Sequence, residues 1–151
     1  MKKTIITICS SANFYKQAVE VEEYLEKQGF NVLLPATAQK MKAADDYEVS
    51  HYKTWFGDTN DYHKKTALMR GHFEKVAKGD ACLVLNYQKH GKSNYIGGNV
   101  LMEMALAFYL GKPIYLLNEI PEESAFLEEI IGMQPILLHG KVEELPNLLE
   151  K

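Results

Sequence analysis

The segment KTIITICSSANFYKQAVEVEEYLEKQGFNVLL, residues 3–34, decides the fold that the sequence predicts. Residues 3–9 are a β-branched run of strand length, which favours a strand. Residues 14–28 follow a short turn and have the spacing of an amphipathic helix. Gly29 ends that helix, and residues 30–34 form a second short strand. A strand, a helix and a strand in this order predict the beginning of a parallel sheet.

The rest of the chain continues this alternation. Three further strands are predicted at 80–87, 114–118 and 135–138, and further helices at 61–78, 100–110, 122–131 and 142–149. Residues 36–60 are interpreted as an excursion outside the sheet, mostly loop or short helix, of the kind that forms a lid or a partner contact. The sequence therefore predicts an α/β fold in one domain, residues 1–151. Its core is a single doubly wound five-stranded parallel sheet, flavodoxin-like (Rossmann-like).

Composition and charge exclude several classes of protein. The 151 residues are 46% hydrophobic and 25% charged, as in ordinary soluble domains. The formal net charge of -3 shows no excess of positive charge of the kind that binds nucleic acids, so we predict no nucleic-acid partner. No apolar run is long enough for a membrane span and no signal peptide is recognised, so we expect a cytoplasmic protein without a membrane partner. Cys9 and Cys82 lie in predicted strands and are interpreted as small buried hydrophobes.

One carboxylate interrupts the apolar helix at 100–110. A helix that is apolar on all sides is predicted to be buried, and a buried carboxylate is costly unless something compensates it. The positive end of the helix dipole offsets part of that cost. We therefore interpret Glu103 as a site residue. The structural alternative is an ion pair with Arg70 or Lys112.

Further candidates lie where parallel sheets of this kind bind ligands, outside the carboxyl ends of the strands. After the first strand these are Ser10, Ser11 and Asn13. They could hydrogen-bond a ribose or a phosphate, or cap the following helix. Before the Glu103 helix the candidates are Gly97, Gly98 and Asn99. Asn99 can cap that helix, and the turn offers backbone N–H groups to a phosphate or sugar oxygen, although Gly-Gly turns are also common structural features.

The predicted helix at 61–78 contributes two more candidates. His72 falls on or near its buried face, either as a core histidine or as a site residue. Arg70 lies on the flank of that face and could pair with a carboxylate or a ligand phosphate. The five histidines lack metal-ligand spacing, so we predict no metal site. Dinucleotide and Walker-type motifs, a GxSxG elbow and a cysteine nucleophile context are also absent from the sequence.

Two motifs resemble a known family. The first is DACLVLN at 80–86, which follows the predicted helix at 61–78. The second is MEMA at 102–105, which comes after a glycine-rich loop and is followed by Gly-Lys-Pro at 111–113. From residue 3 to about residue 138 the chain resembles the nucleoside 2-deoxyribosyltransferases and, equally, the related 2'-deoxynucleoside 5'-phosphate N-hydrolases. The resemblance implies a small flavodoxin-like enzyme whose helix glutamate, here Glu103, attacks the anomeric carbon and forms a glycosyl-enzyme ester. Carboxylates do this work in glycosyl transfer.

The sequence departs from the family pattern around the substrate. Met104-Ala105 stand where the family has leucine-glycine, and Ile6-Thr7-Ile8 stand where transferases have a tyrosine. His72 stands eight residues before Asp80, at the position where the family commonly has an aspartate, and Gly97 replaces the family's aspartate that contacts the base. The nucleophile therefore carries over, whereas the base-recognition residues do not.

We expect an N-ribosyl hydrolase or (deoxy)ribosyltransferase that acts on a nucleoside or nucleoside 5'-monophosphate. Glu103 would be the nucleophile, and His72 would protonate the departing base or position the sugar. The expected substrate contacts are Ser10, Ser11, Asn13, Arg70, Asn86, Gly97, Gly98 and Asn99. No metal or cofactor is required, and a homo-oligomer is expected. The alternatives are a non-catalytic nucleotide-binding or sensing module with the same crevice, and an interaction protein whose residues 41–60 bind a partner.

Overall fold

A computed structural model of the chain describes residues 2–150. Five strands form one sheet: β1 Ile5–Ser10, β2 Asn31–Leu33, β3 Ala81–Leu85, β4 Ile114–Leu116 and β5 Ile136–Leu137. Every neighbouring pair is parallel, and the spatial order is β2-β1-β3-β4-β5. This confirms the predicted α/β fold with a doubly wound, five-stranded parallel sheet of flavodoxin-like order.

Within residues 2–150, six α-helices accompany the sheet: α1 Tyr15–Lys27, α2 Ala36–Ala44, α3 Tyr62–Lys78, α4 Gly98–Tyr109, α5 Leu127–Gly132 and α6 Leu145–Leu149. Short 3-10 helices lie at Ala12–Phe14, Val49–His51, Thr59–Asp61 and Val142–Glu144. The long helices α1 and α3 agree with the predicted ones to within a residue. By contrast, α5 begins five residues later than predicted, and the closing helix is split into a 3-10 turn and the short α6. In the part of the chain that the structure describes, no helix combines the length and apolar character needed to cross a membrane.

The two faces of the sheet bury two separate apolar clusters. Ile6 and Ile8 of β1 pack with α1 and α6 on one face. Cys9 lies on the opposite face with Val84 of β3, together with α3, α4 and α5. Successive side chains of a strand point to opposite faces, so this division follows from the strand itself. It directs Cys9 towards α3 and α4.

Residues 36–60 contain more regular structure than predicted. Helix α2 begins directly after Pro35, and Met41 on its inner side is fully buried. Its sequence, ATAQKMKAA, is rich in strong helix formers, which explains a nine-residue helix where loop or short helix was expected. Asp45 ends α2 in the left-handed region, with φ 50°. Further along, Trp55 is buried, so this excursion packs against the rest of the domain.

Helix α4 is buried on one side only, which corrects the prediction from its composition. Its buried residues are Val100, Glu103, Met104 and Ala107. On its outer side Phe108 is 55% exposed and Tyr109 85% exposed. An apolar composition alone does not show which side of a helix finds a packing partner. The N-cap is Gly97 and makes no side-chain cap, so the predicted capping by Asn99 is wrong.

Candidate active site

A cavity lies at the carboxyl ends of β1 and β3, between α3 and the start of α4. Seven of the ten site residues predicted from the sequence line it: Ser10, Ser11, His72, Gly97, Gly98, Asn99 and Glu103. The strand ends bring the serines, α3 brings the histidine, and the turn into α4 brings the rest. The fold therefore joins residues that are far apart in the chain, at the edge of the sheet where such folds bind ligands.

Glu103 is buried on the inner side of α4 and, among the residues that the structure describes, is the one carboxylate that lines the cavity. Burial raises its pKa to about 8, against smaller opposing effects of the Cys9 side chain and the charge of Lys65. Neither Arg70 nor Lys112, the two proposed structural partners, forms an ion pair with Glu103. Lys112 donates to the Ala77 carbonyl at 2.6 Å, and Arg70 is exposed. Within residues 2–150, Glu103 thus lacks a lysine or arginine partner at ion-pair distance.

His72 faces Glu103 from the buried side of α3. Its Nε2 lies 3.8 Å from Oε1 of Glu103 and 3.5 Å from Sγ of Cys9. Its Nδ1 has no hydrogen-bond partner of ordinary geometry in the described chain. Burial, together with the charge of Lys75, lowers the pKa of His72 to about 4. The imidazole is therefore neutral at neutral pH, a state better suited to positioning than to proton donation by an imidazolium.

Cys9 completes a group of three buried polar side chains. Its Sγ lies 3.4 Å from Sγ of Cys82, and the pKa of Cys9 is raised, mainly by the contact with Cys82 and by burial. One potential ligand atom each of Cys9, His72 and Glu103 lies within 4.8 Å of the others, so these residues could hold a metal ion. A zinc site was not predicted from the sequence, because the five histidines lack metal-ligand spacing. Here the ligand atoms come from three different elements.

Three lysines that the sequence analysis did not select also line the cavity: Lys53, Lys65 and Lys89. Burial lowers the pKa of each one, and the charge of Lys65 lowers that of Lys53 further. Lys89 Nζ donates to Ser11 Oγ at 2.9 Å. In the described chain, none of the three forms an ion pair with a carboxylate. Unpaired, half-buried ammonium groups around one cavity favour an anionic ligand.

Aromatic side chains hold two of these lysines. Lys65 Nζ lies 5.7 Å from the ring centroid of Trp55, and Lys89 Nζ lies 4.8 Å from that of Tyr95. Tyr15 also lines the cavity, and its pKa is raised by burial and by the charge of Glu103. Residues 51–57, HYKTWFG, are rich in aromatic side chains and include Trp55, but this run gives no sign of the contacts of Tyr95 and Tyr15. Single lysines and tyrosines in loops carry no pattern that separates them from solvated residues.

Three predicted contacts lie outside the cavity. Asn86 is fully buried, and its amide joins the ends of β3 and β4: Nδ2 donates to the Glu119 carbonyl at 2.9 Å, and Oδ1 accepts from the Asn118 N–H at 2.9 Å. Asn13 is exposed, and its Oδ1 accepts from Ser11 Oγ at 3.4 Å. Arg70 is exposed as well. Ser11 makes no side-chain cap, so the capping alternative does not explain it.

Comparisons with known proteins bear on the fold. No protein-family model matches the sequence, and no curated protein does. Among solved structures the chain is similar to the CMP N-glycosidase BcmB of Clostridium botulinum, with a TM-score of 0.50 and 14% sequence identity. The likeness covers 97% of this chain and 98% of that one. At this identity it supports the flavodoxin-like fold, while activity needs an argument from the site.

Proposed function

We propose that the protein cleaves the N-glycosidic bond of a nucleoside 5'-monophosphate, as a hydrolase or a transferase, with Glu103 as the nucleophile. The observation that carries the proposal is Glu103 itself, a buried carboxylate in a cavity without a cationic partner. Buried ionisable groups in clefts are typical of catalytic sites. The CMP N-glycosidase with a similar fold acts on a nucleotide of this class, which agrees with the proposal.

The proposed reaction has two steps. In the first, an ionised oxygen of Glu103 attacks the anomeric carbon of the sugar, and the bond from that carbon to the base nitrogen breaks. The bonding electron pair leaves with the base, which takes up a proton from solvent water. In the second, water or another base attacks the glycosyl-enzyme ester and frees Glu103. His72, neutral at neutral pH, also lines the cavity and positions Glu103, with Nε2 3.8 Å from Oε1.

The unpaired lysines select the monophosphate over the nucleoside. A phosphate ester carries about −1.5 to −2 charges at neutral pH and three acceptor oxygens. Lys53, Lys65 and Lys89 present three ammonium groups to the same cavity. Ser11 is positioned by Lys89 and adds a hydroxyl. The backbone N–H groups at the start of α4 add further donors on the same side.

A non-catalytic nucleotide-binding module is the second candidate, and one observation favours it. With a pKa of about 8, Glu103 is mostly protonated at neutral pH in the free protein. A protonated carboxyl can donate a hydrogen bond to a ligand without reacting. The two candidates share the lysines and differ only in whether the glycosidic bond breaks.

The experiment that separates them is a screen of nucleoside 5'-monophosphates, each beside its nucleoside, for release of free base. Liquid chromatography detects the base, and mass spectrometry of the quenched protein detects a sugar phosphate attached to the peptide that contains Glu103. Base release with labelling of that peptide supports the nucleophile. Tight monophosphate binding without base release establishes the binding module instead.

A further inference from the structure

We propose that Cys9, His72 and Glu103 form a binding site for a thiophilic divalent cation, with Zn²⁺ as the ion that fits best. The three residues offer sulfur, nitrogen and oxygen ligands of the types that zinc takes in proteins. Bound zinc would occupy Glu103 and so block glycosyl transfer. Zinc binding itself does not depend on the proposed glycosidase activity.

Two of the three ligand–ligand distances are close to those around a tetrahedral ion, and the third, from Cys9 to Glu103, is within 4.8 Å. With a Zn–S bond of about 2.3 Å and a Zn–N bond of about 2.0 Å, the sulfur and the nitrogen of two ligands lie roughly 3.5 Å apart. Cys9 Sγ and His72 Nε2 are 3.5 Å apart. Nitrogen and oxygen ligands lie about 3.4 Å apart around such an ion, and His72 Nε2 is 3.8 Å from Glu103 Oε1. A small rotation of the Glu103 carboxylate would therefore close the site.

The charges also balance. Zn²⁺ brings two positive charges, the Cys9 thiol and the Glu103 carboxyl each give one proton to solvent, and His72 gives the lone pair of Nε2 without losing a proton. The resulting cluster is neutral, which suits a buried position. Nothing is oxidised or reduced. The positive charge of Lys65 acts on Glu103 and opposes the cation, so we expect weaker binding than at a closed, cysteine-rich structural site.

Three elements hold the ligands, and one side remains open. Cys9 lies on β1, His72 on α3 and Glu103 on α4, all packed against the same face of the sheet. Glu103 and His72 line the cavity, whereas Cys9 is fully buried behind them. An ion therefore enters from the cavity, and the fourth position faces the cavity, where water can complete the coordination.

Metal-free protein titrated with Zn²⁺ against a chromophoric chelator tests the site. We expect one zinc per chain and a loss of affinity of about 10²-fold or more in Cys9→Ala and in Glu103→Gln, beyond the 10–100-fold that outer-shell changes cause. Co²⁺ should give a thiolate-to-cobalt charge-transfer band that disappears in Cys9→Ala. Val84→Ala is the matched control, because Val84 is equally buried beside Cys9 on the same face of the sheet and carries no ligand atom, and it should bind zinc like the wild type.

Two exposed histidine–carboxylate pairs, His51 with Asp46 and His139 with Glu119, could bind zinc weakly at the surface. The titration is therefore made in a His51→Ala, His139→Ala background, with melting curves to show that each variant is folded. Should Cys9→Ala fail to fold, the nearly isosteric Glu103→Gln decides. The site is refuted if this background binds no stoichiometric zinc, if Glu103→Gln retains full affinity, or if cobalt binds without the sulfur band. If zinc binds and the zinc-free protein cleaves no nucleotide, the metal site stands and the glycosidase proposal fails.

Discussion

Replacing Lys89 by methionine tests how the cavity selects its substrate. Methionine keeps most of the apolar stem and removes the ammonium group that donates to Ser11 and lies over the Tyr95 ring. A hydrogen bond to a charged group contributes about 1.5–3 kcal/mol, and about 1.4 kcal/mol corresponds to a factor of ten in affinity. Lys89 is only half-buried, so solvent screening places the effect at the lower end of that range. We expect monophosphate binding to weaken about tenfold.

The assay is calorimetric titration of a nucleoside 5'-monophosphate and of its nucleoside, in a Glu103→Gln background that prevents turnover. The nucleoside should bind Lys89→Met as it binds the parent. Arg70→Met is the matched control, because Arg70 is exposed and does not line the cavity. Raising the salt concentration should reduce the difference in monophosphate affinity between the parent and Lys89→Met. Equal weakening of nucleoside and monophosphate, or an equal effect of Arg70→Met, would refute a phosphate contact at Lys89.

Three other predictions concern pH, packing and assembly. Burial lowers the pKa of each of the three cavity lysines, Lys53, Lys65 and Lys89. Monophosphate affinity should therefore fall as pH rises, and the fall should begin below about pH 10.4, where an exposed lysine titrates. Binding titrations at a series of rising pH values measure where the fall begins. Gly71→Ala should raise stability by about 0.5–1 kcal/mol, because Gly71 lies inside α3 with free space for a methyl group. Gly79→Ala should lower stability by about 1–3 kcal/mol, because its methyl group would clash with the buried Thr7 hydroxyl; denaturant unfolding of the two variants decides both signs. The expected homo-oligomer should use the outer side of α4, so Tyr109→Lys should reduce the mass found by light scattering, and an unchanged mass would exclude this surface.

The fold could be predicted because its signals are local. The β-branched run at 3–9 and the apolar run at 80–87 are read directly as strands, and their alternation with helices fixes a parallel order. Helix α2 was predicted only as loop or short helix, because its nine residues have no clear apolar stripe. The outer side of α4 was wrongly predicted to be buried, because burial depends on which elements pack against a helix and not on its composition alone.

Two signals predicted residues of the candidate site: a residue that conflicts with its surroundings, and the turns at the carboxyl ends of the strands. Glu103 was found because a carboxylate interrupts an apolar helix. Cys9 was correctly expected to be buried, but its contact with His72 depends on how β1 and α3 pack. Lys53 and Lys89 were missed because an isolated lysine in a loop carries no sign of whether it faces solvent or a cavity. Arg70 was selected for its charge, and its position on α3 turns it to solvent.

The most direct test of the central claim compares wild-type protein with Glu103→Gln for release of free base from nucleoside 5'-monophosphates. The two side chains are nearly isosteric, so the variant should keep its fold and its monophosphate affinity. Loss of a covalent nucleophile should lower kcat/KM by several powers of ten. The wild type should also yield a sugar phosphate ester on the peptide that contains Glu103, and the variant should not. Base release by Glu103→Gln within a factor of about ten of the wild type, roughly 1.4 kcal/mol in barrier height, would contradict the nucleophile assignment.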